Sequence, residues 1–202
     1  QMKSLKILFI VFLVPIFVTS QNLEVEGKVK ITDRDTIISG TNRRSSFTLP
    51  IAKQFYKLLK KYSDEEVKLL SLENLPLDLF HTGMYNENGQ SKNVAKLQNE
   101  FMIPADKFLI IMPEYNGGFP GVLKMFLDAC SVREYSKTFN RKKVAMVGLA
   151  SGRAGNLRGM EHLTGVMNYL GCIIMPNKLP ISELEKLIDK SETFDFSNPS
   201  EI

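Results

Sequence analysis

Ile37-Ile38-Ser39-Gly40-Thr41-Asn42-Arg43-Arg44-Ser45-Ser46-Phe47-Thr48 reads as the end of a short apolar strand, a polar loop turning at Gly40, and the start of an amphipathic helix. Behind it, Ala52, Phe55, Tyr56, Leu59 and Tyr62 recur at helical spacing, with Lys53, Lys57, Lys60 and Lys61 mostly on the other side. Pro50 belongs in the first helical turn, where a missing N–H costs least, which places the cap near Ser46 to Thr48. The loop carries hydroxyls at Ser39, Thr41, Ser45, Ser46 and Thr48, an amide at Asn42, and guanidiniums at Arg43 and Arg44. A helix N-terminus leaves backbone N–H groups unpaired and holds the positive end of the helix dipole, so an anion is favoured there. Hydroxyls rotate to meet its oxygens, and one Arg can hold two oxygens at once. Such a loop suits a phosphate; an ordinary strand-to-helix connection capped by Ser or Thr is the alternative. No Gly-Lys-Ser/Thr and no Gly-x-x-Gly follows Gly40, which argues against a nucleoside triphosphate or a dinucleotide fingerprint as the main tenant.

Four more apolar runs follow, at 67–72, 108–112, 144–149 and 172–175. The unbroken run Phe108-Leu109-Ile110-Ile111-Met112 suits a central strand covered on both faces. Between the runs lie helical faces: Val94, Leu97 and Phe101, stopped by Pro104; then Phe119, Val122, Leu123, Phe126, Leu127 and Cys130; then Met160, Leu163, Met167 and Leu170. Residues 181–188 read as a closing helix. The order is strand–helix repeated five times, which predicts an α/β three-layer sandwich with five parallel strands joined by right-handed crossovers. Ligands in such sheets bind beyond the carboxyl ends of the strands, where the strand order reverses. In the order 2-1-3-4-5 that point lies between strands one and three. Strand three leads directly into Pro113-Glu114-Tyr115-Asn116-Gly117-Gly118-Phe119-Pro120-Gly121, whose glycines and prolines set a tight backbone able to approach a ligand closely. Strand four leads into a third polar loop, Ala150-Ser151-Gly152-Arg153-Ala154-Gly155-Asn156.

The 202 residues are natural for one domain, and 44% hydrophobic with 24% charged residues is the balance of a soluble globular chain. A formal charge of +4 without a Lys/Arg stripe interleaved with aromatics disfavours nucleic acid and fits anionic small molecules. Residues 1–20 pair Lys3 and Lys6 with an apolar run too short for a comfortable membrane span. They read either as a secretory signal or as an upstream translated extension, and fall outside the fold under both. Residues 21–35 read as a polar leader, 36–190 as the folded domain and 191–202 as a tail. Cys130 and Cys172 are far apart on apolar faces, as buried thiols are, and His81 and His162 have no partner at metal-ligand spacing. The long connection 75–90 is of the kind that is functional or mobile; Met84 and Tyr85 in it are read as a ligand cover, a subunit contact or plain surface.

The three loops, Ser39 to Thr48, Pro113 to Lys124 and Gly148 to Gly155, together resemble the NADPH-dependent FMN reductase family, the flavodoxin-like group that includes azo, quinone and chromate reductases. The resemblance runs from about Thr36 to Asp189, and Pro-Glu-Tyr-Asn-Gly is its most specific part. It implies that Thr41, Arg43, Ser46 and Thr48, with Ser39 and Asn42 in the same loop, hold the phosphate of FMN. Pro113, Glu114, Tyr115, Asn116 and Gly117 then lie along the isoalloxazine, and Ser151, Gly152, Arg153 and Gly155 close the far side. It implies hydride transfer from NADPH or NADH through the N5 position of the flavin to a free flavin, quinone, azo compound or similar acceptor. No acid–base residue is expected; Asn116 is the candidate for electrostatic support. Arg153 and Arg158 are read as meeting the phosphates of the nicotinamide nucleotide or as solvated loop charges. The family also implies a homodimer and a cytoplasmic location, with export the alternative if residues 1–20 act as a signal. Thr41 departs from the pattern, standing where many members have Ser. The runner-up function is a flavodoxin-type electron carrier, disfavoured by the basic charge and by Arg43.

Overall fold

Ile37 and Ile38 are neighbours in sequence but face opposite sides of one sheet, both wholly buried in separate apolar layers. A computed structural model of the chain describes residues 33–187. The signal-like segment 1–20, nearly all of the leader and the tail 191–202 lie outside the described residues. Six strand segments form the sheet: β1 (Arg34–Ser39), β2 (Glu66–Ser71), β3 (Lys107–Pro113), β4 (Lys143–Leu149), β5 (Ile173–Ile174) and β6 (Leu179–Ile181). The helices are α1 (Thr48–Tyr62), α2 (Lys92–Leu97, running on through a π turn at Gln98–Met102), α3 (Gly121–Ser131), α4 (Tyr135–Phe139), α5 (Leu157–Tyr169) and α6 (Leu184–Leu187). Arg34 and Asp35, read from sequence as leader, thus open β1.

All the pairings are parallel and the order is β2-β1-β3-β4-β5, the order expected. The register sets Ile38 beside Leu70 on one side and Ile110 on the other. Because side chains alternate along a strand, Ile38, Ile110, Met112 and Met146 pack toward α3 and α5, against Leu123, Phe126, Leu163 and Met167. Ile37, Leu109, Ile111 and Val147 pack toward α1, against Ala52, Phe55 and Leu59. Each such side chain removed from water contributes about 1.5–3 kcal/mol, and the two layers fix the sheet between two sheaths of helix.

One expectation is corrected. Residues 181–188 do not form a single closing helix: Leu179–Ile181 is strand β6, paired with Val147, Gly148 and Leu149 of β4, and α6 begins only at Leu184. β5 and β6 both lie along β4, pairing with its first and last residues respectively, so the fifth strand is split in two. Pro180 is tolerated because it belongs to a short segment recorded as pairing with β4 alone. Ile181 is buried against the α1 layer, which a strand achieves as readily as a helix.

The connection 75–90 is anchored rather than loose. Leu79 and Met84 are buried in the α3/α5 layer, and Gln90 Nε2 donates to the Ala129 carbonyl at 2.7 Å. Of the two residues singled out there, Met84 is therefore core, while Tyr85 is exposed, as are Leu77 and Phe80 of the same connection. Burial pushes the thiols of Cys130 and Cys172 well above the ordinary range, as befits structural side chains.

Candidate functional site

Gly40 decides where the first loop goes. Its N–H donates to the Ile111 carbonyl at 2.8 Å, so the chain leaving β1 crosses the end of β3. A Cβ here would stand 3.1 Å from the Ile111 oxygen and 3.2 Å from Leu123 Cδ2. The crossing delivers Thr41, wholly buried, to the exit of β3, where its hydroxyl is hydrogen-bonded to the Tyr115 phenol at 2.8 Å. The loop then climbs to the start of α1. Ser46 Oγ accepts from the Thr48 N–H at 3.3 Å and bonds the Thr48 hydroxyl at 2.9 Å, doing the work of a cap one residue before the formal N-cap, Phe47. No acidic residue stands in the first turn of α1, so its positive end is left open to an anion.

The second loop is held by its own turn. Tyr115 and Gly118 exchange backbone hydrogen bonds at 2.9 and 3.0 Å, with Asn116 (φ 52) and Gly117 (φ 75) between them. Two central residues at positive φ make a type I′ turn, the geometry for which Asn-Gly is preferred. The Glu114 N–H donates to the Leu149 carbonyl at 2.9 Å, tying this loop to the end of β4. On its outer side Gly117 faces the guanidinium of Arg158 and Gly118 the imidazole of His162, both on α5.

The third loop is fixed from beneath. Asn156 is buried at φ 65 and donates through Nδ2 to the Met112 carbonyl at 3.1 Å, joining the start of α5 to the end of β3. Gly148 and Gly159 leave room for this latch; a Cβ on either would run into Asn156. Ala150 donates to Ile181, and Leu184 and Glu183 donate back to Ala150 and Gly152, so β6 and α6 underpin the loop.

These three loops border one cavity of about 190 Å³. Arg43, Ser45, Ser46 and Thr48 line one part; Pro113, Glu114 and Tyr115 line another; Leu149, Ala150 and Ser151 a third. Of the residues singled out from sequence, Arg43, Ser46, Thr48, Pro113, Glu114, Tyr115 and Ser151 come together there. Ser39 and Thr41 are wholly buried, Thr41 directly against the cavity-lining Tyr115. Asn42, Asn116, Gly152 and Arg153 are exposed outside its lining, as Gly117 is in part, and Gly155 is buried against Pro180. Sequence reasoning missed Phe47, Leu184 and Glu185 as lining residues and Asn156 as the latch. Leu184 and Glu185 reach the cavity only because β6 returns the chain to it, which no local pattern announces. Among the described residues, no three or more His, Cys, Asp or Glu side chains are grouped to hold a metal ion, and no helix is long and apolar enough to cross a membrane.

The lining is chemically mixed: the hydroxyls of Ser45, Ser46 and Thr48 and the Arg43 guanidinium share it with the carboxyls of Glu114 and Glu185. The Ser39 hydroxyl, wholly buried without a hydrogen-bond partner among the described residues, adds an unspent polar group at the end of β1. A volume of about 190 Å³ is below the 300–1,000 Å³ typical of pockets that enclose a whole ligand. At that volume the cavity encloses part of a ligand rather than a whole one.

A family model described as NADPH-dependent FMN reductase matches residues 36–185. A 2-hydroxy-1,4-benzoquinone reductase from Burkholderia sp is 31% identical over 141 residues, 69% of this chain and 72% of the relative. An FMN-dependent NADH:quinone oxidoreductase from Trichlorobacter lovleyi is 25% identical over 166 residues, 64% of this chain and 76% of the relative. Among solved structures, FerB, a flavoenzyme NAD(P)H:(acceptor) oxidoreductase from Paracoccus denitrificans, superposes with a TM-score of 0.60 at 22% identity, covering 73% of this chain and 78% of that one. This last likeness bears on the fold alone.

Proposed function

The chain belongs to the NADPH-dependent FMN reductase family, and from that premise we propose that it is a flavin-dependent oxidoreductase using FMN, with NADPH or NADH as donor and a quinone-class small molecule as acceptor. The observation that carries the reading is the meeting of all three strand-exit loops at one cavity, lined by the hydroxyls and guanidinium of the first loop and by Tyr115 of the second. Arg43, Ser46 and Thr48, with the first N–H groups of α1, hold the phosphate. Pro113 to Tyr115 border the ring system, with Ser151 on its far side. FMN when bound supplies the hydride chemistry, accepting from a nicotinamide and passing reducing equivalents on. The chain's own part is to bind, to orient and to keep the ring edge open to two substrates in turn. No side chain at the cavity is needed to move a proton. The quinone class is supported by the names of the Burkholderia and Trichlorobacter relatives.

Flavin-free protein titrated with FMN should take up one equivalent, and the loaded protein should consume NADPH or NADH steadily with a benzoquinone. Uptake without turnover would turn the reading into an electron carrier; no uptake would end it. A homodimer is part of the proposal, with the exposed side chains of Leu77, Phe80 and Tyr85 as candidates for cover. Sedimentation should give twice the chain mass.

A further inference from the structure

Thr41 stands in the phosphate-suited loop, yet its surroundings give its hydroxyl a different occupation. The residue is wholly buried, and it is absent from the cavity lining that its neighbours Arg43, Ser45 and Ser46 share. Its Oγ1 accepts from the Arg43 N–H at 3.2 Å and is bonded to the Tyr115 phenol at 2.8 Å. A hydroxyl has one proton and two lone pairs, so two of its three hydrogen-bonding positions are spent inside the protein. The β-branched side chain has a stiff χ1, which fixes the direction of the oxygen.

Tyr115 is correspondingly held at three points. Its backbone N–H and carbonyl are both paired with Gly118 across the type I′ turn, and its phenol is paired with Thr41. A side chain tied at both ends presents one fixed ring face to the cavity it lines. Gly40 makes this possible, because only a chain lying on the end of β3 brings residue 41 within reach of residue 115.

We infer that Thr41 is a positioning residue: its hydroxyl braces the Tyr115 phenol and so pre-shapes the ring side of the flavin cavity. The inference rests on FMN being the tenant of the cavity. Pre-organised groups lose less entropy on binding, so the brace acts on affinity for the ring system.

Riboflavin, which lacks the phosphate, separates the two roles. Flavin-free protein is titrated with FMN and with riboflavin, following flavin fluorescence. Thr41→Val and Tyr115→Phe should each weaken both flavins by the same factor, about 3- to 10-fold for one neutral hydrogen bond. The double variant should be no worse than either single one, and Thr41→Ser should recover most of the loss. Ser46→Ala, facing the phosphate end, should weaken FMN and spare riboflavin. Thr41→Val following the Ser46→Ala pattern, having no effect, or multiplying with Tyr115→Phe would each overturn the inference. Wild-type protein that binds neither flavin would instead end the functional reading. The brace is then judged from urea midpoints of the flavin-free variants, where equal losses in single and double variants uphold it and additive losses overturn it.

Discussion

Asn116 has a backbone reason for its identity that is separate from any role toward a flavin. At φ 52 it occupies the left-handed region, which costs most L-residues roughly 1–2 kcal/mol and Asn less. Its side chain is exposed and outside the cavity lining. Asn116→Ala should therefore lower stability by about 1 kcal/mol in urea unfolding, while Asn116→Gly, free of the penalty, should stay within about 0.5 kcal/mol of the parent. With FMN bound, Asn116→Gly should also keep the parent's rate of NAD(P)H consumption. Electrostatic support from the amide would show as a slower rate in the Gly variant at unchanged stability. The motif is readable in sequence because Asn-Gly announces its turn. That the same pair need not touch a ligand is not readable, since only the fold shows where its side chain points.

The elements that position the site were legible wherever a whole apolar face repeats. Phe108 to Met112 announced β3 because a strand buried on both faces has no polar alternate. Alternation of strand and helix announced the parallel sheet, whereas the order of strands, and with it the meeting of loops one and two, came with the flavodoxin-like fold. Short pieces were not legible: Leu179-Pro180-Ile181 is too brief to show a period, and its strand character comes from β4 beside it. Asn156 likewise looks like any loop Asn until β3 offers its Met112 carbonyl. The packing of β4 under α5 is a test of this layer. A methyl on Gly148 would collide with the Gly155 carbonyl oxygen and crowd Asn156 and Met160. Gly148→Ala should cost about 1–3 kcal/mol in urea unfolding, as overpacked interiors do. It should also weaken FMN binding, because the displaced elements carry Ser151 and the latch. An unchanged unfolding midpoint would show that the third loop is not seated on β4 as described.

Across the whole molecule the two ends of the sheet do different work: the carboxyl ends of the strands frame the cavity, and the amino ends bury a charged cluster. There the Lys107 ammonium lies 2.9 Å from Asp33, 3.0 Å from Glu65 and 3.9 Å from Asp35. Three carboxyls around one ammonium cannot all ionise cheaply out of water. Burial first, then a hydrogen bond to Glu65, raises Asp35 to about 8 against the pull of Lys107. As a carboxylate Asp35 finds no hydrogen-bond donor among the described residues, and a retained proton supplies one toward Glu65. From its ordinary value of 3.8 up to about 8, folded Asp35 therefore holds a proton that the unfolded chain has released. Its contribution to stability falls across that range, by at most about 1.4 kcal/mol per pH unit. Lys142, buried while donating to the Met102 and Ile103 carbonyls, is lowered by that burial from 10.5 to about 8. Above 8 the unfolded chain keeps a proton that folded Lys142 has lost, so this contribution rises with pH. Above the ordinary thiol value of 9.0 the buried thiols of Cys130 and Cys172 keep protons that the unfolded chain releases, which opposes the Lys142 gain. Urea midpoints should thus fall from mild acid to about pH 8 and show no full recovery at higher pH. Asp35→Asn should flatten the descending limb below pH 8, and Lys142→Met should leave that limb and steepen the fall above it. A descending limb that survives in Asp35→Asn would place the shared proton elsewhere and remove the cluster as the cause.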